Sequence, residues 1–136
     1  MTKAIPTIQK YMTTSPHTIG DDQPMALAHQ MMREHHVRHL PVLRGTKVVG
    51  IVSDRDLNTV ETLRDVDPRT VLVSEAMTQE PYLVGPDAPL DEVVSTMAKN
   101  KYGSAVVTQH AKVVGIFTTV DVCRAFADLL HTRLAK

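Results

Sequence analysis

The sequence predicts an α+β (α/β) chain made of two pseudo-symmetric β-α-β-β-α repeats, and three observations carry that prediction. Lys47–Leu57, KVVGIVSDRDL, returns near the other end as KVVGIFTTVDV over Lys112–Val122. A shift of 65 positions aligns residues 12–57 with 77–122 without a gap, and identical pairs include Pro16/Pro81, Gly20/Gly85, Asp22/Asp87, Pro24/Pro89, Gly50/Gly115 and Asp56/Asp121. These pairs are rich in glycine and proline, so the repeat preserves places where backbone geometry is restricted. Each copy also passes from helical to strand periodicity in the same order. One supersecondary unit used twice is too short for a solenoid and predicts a pseudo-twofold pair packed face to face.

Within each copy, Asp22 and Asp87 are expected to cap helices that begin near Pro24 and Pro89, because a short acceptor side chain precedes an early-turn proline. Ala28, Met31 and Met32, and then Leu90, Val93, Val94 and Met97, mark one apolar helical face. Two β-branched runs follow, 39–43 and 47–53, joined by Arg44-Gly45-Thr46; their counterparts are 104–108 and 112–118 around Gln109-His110-Ala111. Ser53 and Thr118 open a second helix in each copy, which yields a mixed sheet with helices on one side. Residues 58–72 read as a polar connector, and the domains are expected at 1–65 and 66–136.

Composition narrows the function. The 136 residues are 43% hydrophobic, enough to fill a core, and 15 basic residues balance 15 acidic ones. That balance gives nucleic-acid binding no global electrostatic support. Arg33, Arg38, Arg44, Lys47 and Arg55 form a local basic set, but three Tyr and two Phe without Trp leave little for base stacking. The lone Cys123 excludes an intramolecular disulfide and fits a reducing, cytoplasmic compartment. Beside apolar neighbours on the last helix it reads as a small buried packing residue. The start, MTKAIPTIQKYM, lacks the apolar run of a secretory signal, and other apolar runs are strand-sized, so no membrane span is expected.

The doubled order of HVRHLPV before GIVSDRDL and GSAVV before GIFTTVDV resembles a tandem pair of CBS domains, the Bateman module, over nearly the whole chain. The resemblance implies two repeats packed sheet to sheet, with adenosyl ligands (AMP, ADP, ATP or S-adenosylmethionine) held in the clefts between them. It implies a regulatory, non-catalytic module whose ligand occupancy signals through a homodimer or to a separate regulated protein. No obligatory cofactor is implied. An interaction protein with empty clefts is the alternative.

Carried over by position, the first pocket comprises Ser15, Pro16, Gly20, Arg38, His39, Ser53, Asp54, Arg55 and Asp56. The resemblance implies that backbone around Ser15 and His39 reads the adenine edge. Arg38 and Arg55 are its cations, and a guanidinium suits phosphate oxygens. The second pocket comprises Glu80, Pro81, Gly85, Gly103, Ser104, Thr118, Thr119 and Asp121. Gly103 and Val120 stand where Arg38 and Arg55 stood, so this pocket lacks its own cations and the two sites are expected to be unequal. The hydroxyl-x-x-Asp phrase has two readings. Asp56 and Asp121 either reach back to cap their helices or accept both vicinal hydroxyls of a ribose, as an acceptor-only carboxylate can; one residue can do both.

His29, His35, His36 and His39 crowd eleven residues without converging on one point, so no metal is expected. Catalysis has no candidate residues. The last segment places Val122, Phe126, Leu129, Leu130 and Leu134 at helical spacing, an apolar face that needs cover.

Overall fold

The computed structural model describes residues 4–64 and 66–134. After a 3-10 turn at Ile8–Lys10 come β1 (Thr13–Thr14), β2 (Ile19–Gly20), α1 (Met25–His35), β3 (His39–Arg44), β4 (Lys47–Ser53) and α2 (Asp54–Arg64). The second half continues with α3 (Val73–Ala76), β5 (Thr78–Gln79), β6 (Leu83–Val84), α4 (Leu90–Asn100), β7 (Ser104–Gln109), β8 (Lys112–Thr118) and α5 (Thr119–Arg133). The predicted β-α-β-β-α order is present in both copies.

Each sheet recruits a strand from ahead of the other repeat. One sheet runs β2-β3-β4-β5 and the other β1-β8-β7-β6. Within each, one parallel pair (β2 with β3, β6 with β7) meets antiparallel hairpins. β1 lies on β8 through Thr13↔Ile116 and Thr14↔Gly115, and β5 lies on β4 through Ile51↔Thr78 and Gly50↔Gln79. Contacts accordingly divide the chain into a unit of Pro16–Pro81 and a unit of Met1–Ser15 with Tyr82–Lys136. The sequence repeats alone suggested 1–65 and 66–136; the contacts exchange the segments that lead into the two repeats.

The cores follow this exchange. Ile19, Met25, Ala28, Met32, Leu40, Val42, Val52, Leu57 and Val73 pack together in the first unit. Ile8 joins Leu90, Val93, Met97, Ala105, Val107, Phe117 and Ala125 in the second. The supposed connector 58–72 is therefore largely structural. Residues 58–64 continue α2, while Val60 and Val71 pack on the first core; residue 65 lies outside the described residues.

Asp22 and Asp87 do not cap helices. Pro24 and Pro89 occupy the N-cap positions without side-chain cap bonds. Exchanged backbone does the work instead: the Met25 N–H donates to the Val71 carbonyl at 2.8 Å, the Ala26 N–H to Pro68 at 2.8 Å, and the Leu90 N–H to Pro6 at 2.9 Å. The orphan donors of a helix start are satisfied by main chain, so no cap side chain is needed.

The repeated Gly50 and Gly115 are explained by close approach. A Cβ on Gly50 would lie 2.6 Å from the Met77 sulfur and 2.8 Å from the Thr78 carbonyl oxygen, and one on Gly115 would lie 2.5 Å from the Met12 sulfur. Gly50→Ala is expected to cost about 1–3 kcal/mol by forcing β5 off β4, measured by urea unfolding. The two-residue loop His110-Ala111 has φ of 54° and 64°, the left-handed pair that favours Asn-Gly. Ala111→Gly should gain about 0.5–1 kcal/mol in the same assay, since Ala at positive φ is strained.

Candidate functional site

The N-terminal end of α2 gathers most of the first predicted pocket. His39 lies opposite Ser53 in the β3–β4 register. The Asp54 N–H donates to the Arg38 carbonyl at 3.0 Å, tying the helix start to the start of β3. The Ser53 N–H donates to Asp56 Oδ2 at 2.9 Å and the Asp56 N–H donates to Ser53 Oγ at 3.0 Å, a reciprocal capping box. The capping reading of the motif is therefore realised. It uses one carboxylate oxygen: among the described residues, no hydrogen bond or ion pair reaches Asp56 Oδ1.

Arg38 and Arg55 are exposed at this end, and neither has a carboxylate partner among the described residues. Burial holds the His39 imidazole below its ordinary pKa, with Asp54 and Asp56 opposing and Arg38 reinforcing that shift. A neutral His39 offers one ring nitrogen as donor and one as acceptor. Gly20 sits on β2, where a Cβ would meet Asp22 Oδ1 at 2.9 Å. Ser15 belongs to the other unit, donating its N–H to the Val114 carbonyl at 3.1 Å, and Pro16 opens the first-repeat unit. Ser15 and its counterpart Glu80 both hold left-handed φ, 47° and 53°, without being glycine.

The second repeat repeats the cap but spends the carboxylate. The Thr118 N–H donates to Asp121 Oδ2 at 2.9 Å, and Ser104 lies opposite Thr118. Asp121 is 2% exposed; its Oδ1 accepts from Thr13 Oγ1 at 3.4 Å and lies 3.3 Å from Arg124 Nη1. The expectation that the second pocket lacks its own cations rested on Gly103 and Val120; Arg124, paired with Asp121, is a cation that it did not consider. The Asp-x-x-Arg spacing was readable as a helical i,i+3 pair; its first-repeat counterpart is Thr59. Gly103 and Thr119 are exposed, and Gly85 resembles Gly20, with a Cβ meeting Asp87 Oδ1 at 3.2 Å. Glu80 and Pro81 end the first-repeat unit.

The histidines go separate ways. His29 contacts Glu61, His35 stacks on His17 with centroids 3.6 Å apart, His36 ends α1 in a left-handed conformation, and His39 enters β3. Cys123 is exposed, not buried as expected, because α5 turns Asp121 and Ala125 inward and Cys123 lies half a turn away. A shallow depression of about 430 Å³ runs along α2, lined by Asp54, Arg55, Asn58, Thr59 and Thr62; it shares only Asp54 and Arg55 with the predicted pocket.

The CBS domain profile matches residues 8–60 and again 73–128. The chain belongs to the CBS domain family. Inosine-5'-monophosphate dehydrogenase of Korarchaeum cryptofilum is 32% identical over 90% of the chain, which spans only 25% of that enzyme. Among solved structures, AcuB of Vibrio cholerae, assigned to acetoin utilization, has a TM-score of 0.83 and 28% identity, with 98% of each chain covered. CBSX2 of Arabidopsis thaliana, solved in complex with AMP, has a TM-score of 0.77 and 26% identity over 91% of this chain and 98% of that one. In this CBS chain no helix of the described residues is long and apolar enough to cross a membrane.

The lowered His39 pKa has a definite sign. The unfolded imidazole binds a proton more readily than the folded one, so His39's contribution to stability is complete above the ordinary value of about 6.5 and declines as pH falls from there toward the folded pKa. Subtracting the pH–stability curve of His39→Gln from that of the wild type should reveal this loss. A flat difference between pH 8 and pH 5 would contradict it.

Proposed function

We propose that the chain is a regulatory, non-catalytic module that senses an adenine nucleotide and acts in the cytoplasm as a homodimer. The observation that carries this reading is the state of Asp56: one oxygen caps α2, and the other has no partner among the described residues. Ribose hydroxyls on Oδ1 would leave the cap in place. The guanidiniums of Arg38 and Arg55, without a carboxylate partner among the described residues, suit phosphate, and neutral His39 beside Ser53 adds a hydrogen-bonding edge for a base. The AMP complex of CBSX2, at 26% identity, supports AMP as the first ligand to test. ADP, ATP and S-adenosylmethionine follow in the same screen.

The Asp121 site is the weaker one under this proposal. Its carboxylate must release Thr13 or Arg124 before it can accept a ribose. Gly103, Ser104, Thr118 and Thr119, with Glu80, Pro81 and Gly85, are its remaining proposed members.

The completed capping boxes favour a second reading, in which both aspartates only cap and the chain is an interaction protein. Calorimetry with AMP and ATP separates the two. Asp56→Asn keeps the shape and discards the charge; it should weaken the tighter site by roughly tenfold to a hundredfold, the loss of about 1.5–3 kcal/mol from a charged hydrogen-bond partner. Asp121→Asn should chiefly lower the melting temperature. Unchanged affinities in both variants would leave the capping reading standing.

A further inference from the structure

The N-terminal segment is tied to α5 by side chains as well as by backbone, and the last tie ends on the second repeat's carboxylate. Ile8 anchors the segment in the core, and the Gln9 N–H donates to the Pro86 carbonyl at 3.1 Å. Around that anchor three bonds run along one helix. Arg133 Nη2 donates to the Ala4 carbonyl at 3.1 Å, the Tyr11 hydroxyl donates to Asp128 Oδ2, and Thr13 Oγ1 donates to Asp121 Oδ1 at 3.4 Å. The bond to Asp128, ahead of burial, holds the Tyr11 hydroxyl above its ordinary pKa, so it keeps its proton and goes on donating. The other unit has the same backbone exchange without these ties: Ala76 stands at the place of Tyr11, and no bond from Thr78 reaches Asp56 among the described residues.

We infer that this segment is an autoinhibitory strap: Thr13 occupies the Asp121 oxygen that a vicinal diol would take, and a ligand binds there only by displacing Thr13. This rests on the nucleotide-sensing reading and adds that the second site is closed until the strap yields. Asp121 is 2% exposed, whereas Asp56, which has no strap contact, is half-buried. Arg124 shares the same oxygen at 3.3 Å, but its side chain is 63% exposed, and a solvated i,i+3 ion pair costs little to part. Thr13 is less free to swing aside, because its β-branched side chain is stiff and β1 holds its backbone on β8 through Thr13↔Ile116. Displacing it strains the two-residue strand β1 and, with it, the Tyr11 latch. Occupancy at Asp121 is thereby transmitted to residues 4–15.

Calorimetry and hydrogen exchange test the strap on the full chain, with Asp56→Asn present to weaken the first site. In that background Thr13→Val removes the hydroxyl and keeps the shape; it should tighten adenosine and AMP binding roughly two- to tenfold, the weight of one hydrogen bond, while lowering the melting temperature. Tyr11→Phe should move both in the same directions. A tie that merely stabilises the fold would lower the melting temperature and leave affinity unchanged or weaker. 2′-Deoxyadenosine, which lacks the diol, should gain nothing from Thr13→Val. Saturating adenosine should speed amide exchange in residues 4–15, although bound ligands ordinarily slow exchange. Unchanged affinity in both strap variants, or exchange in 4–15 that slows or stays level, overturns the inference; AMP binding present in wild type and lost in Asp56→Asn would then leave the sensing reading standing. No binding of adenosine or AMP by wild type or by Thr13→Val defeats both.

Discussion

The close approach of an exchanged backbone segment to a glycine in the middle of the last sheet strand is the constraint on which the rest of each unit depends. Gly50 and Gly115 admit Met77 and Met12 against the strand, and this lets β5 and β1 complete their sheets. The segments that carry those short strands also supply the carbonyls that satisfy the first N–H groups of α1 and α4. They add Val73 and Ile8 to the two cores. A two-residue strand is too short to hold by itself. It holds here because sheet pairing, helix-start hydrogen bonds and core burial all draw on one segment.

The same exchange makes the two aspartates unequal. Thr13 arrives with β1 and reaches Asp121, whereas Asp56 has no such contact from its counterpart Thr78 among the described residues. Arg124 adds a second difference, because Thr59 stands at the equivalent place on α2. One carboxylate is thus closed off by its own unit and the other keeps an oxygen open. Duplication gave two copies of a cap, and small changes one turn along the helix decide which copy keeps a carboxylate oxygen without a partner among the described residues.

Much of this was legible in the sequence because the features are local. The helical faces, the hairpins and the hydroxyl-x-x-Asp cap follow from periodicity and short-range hydrogen bonding, and they stand where the sequence put them. The strand exchange was not legible, since Thr13-Thr14 and Thr78-Gln79 carry no strand signal and acquire their structure from a partner about a hundred residues away for β1 and about thirty for β5. For the same reason Asp22 and Asp87 looked like caps: their role had been taken by carbonyls distant in sequence. The helix ends at His36 and Lys101 are left-handed without the glycine that usually marks such a turn. Cys123 was misplaced because its apolar neighbours in sequence lie on both sides of α5, and periodicity alone does not say which side is buried.

A carboxylate that caps a helix and holds a ligand links two equilibria. The cap stabilises the first turn of α2, and a ribose on the free oxygen would favour the same ionised, oriented carboxylate, so each interaction preorganises the other. His39 enters that linkage, since its neutral form is favoured by burial while Asp54 and Asp56 favour the charged one. A phosphate bound by Arg38 and Arg55 would add negative charge near the imidazole and raise its pKa. Ligand binding by this end of α2 would then take up protons below neutrality, and affinity would rise as pH falls toward the histidine range. Asp121, by contrast, already accepts from Thr13 and Thr118 and pairs with Arg124, so it has no oxygen left with which to respond in this way.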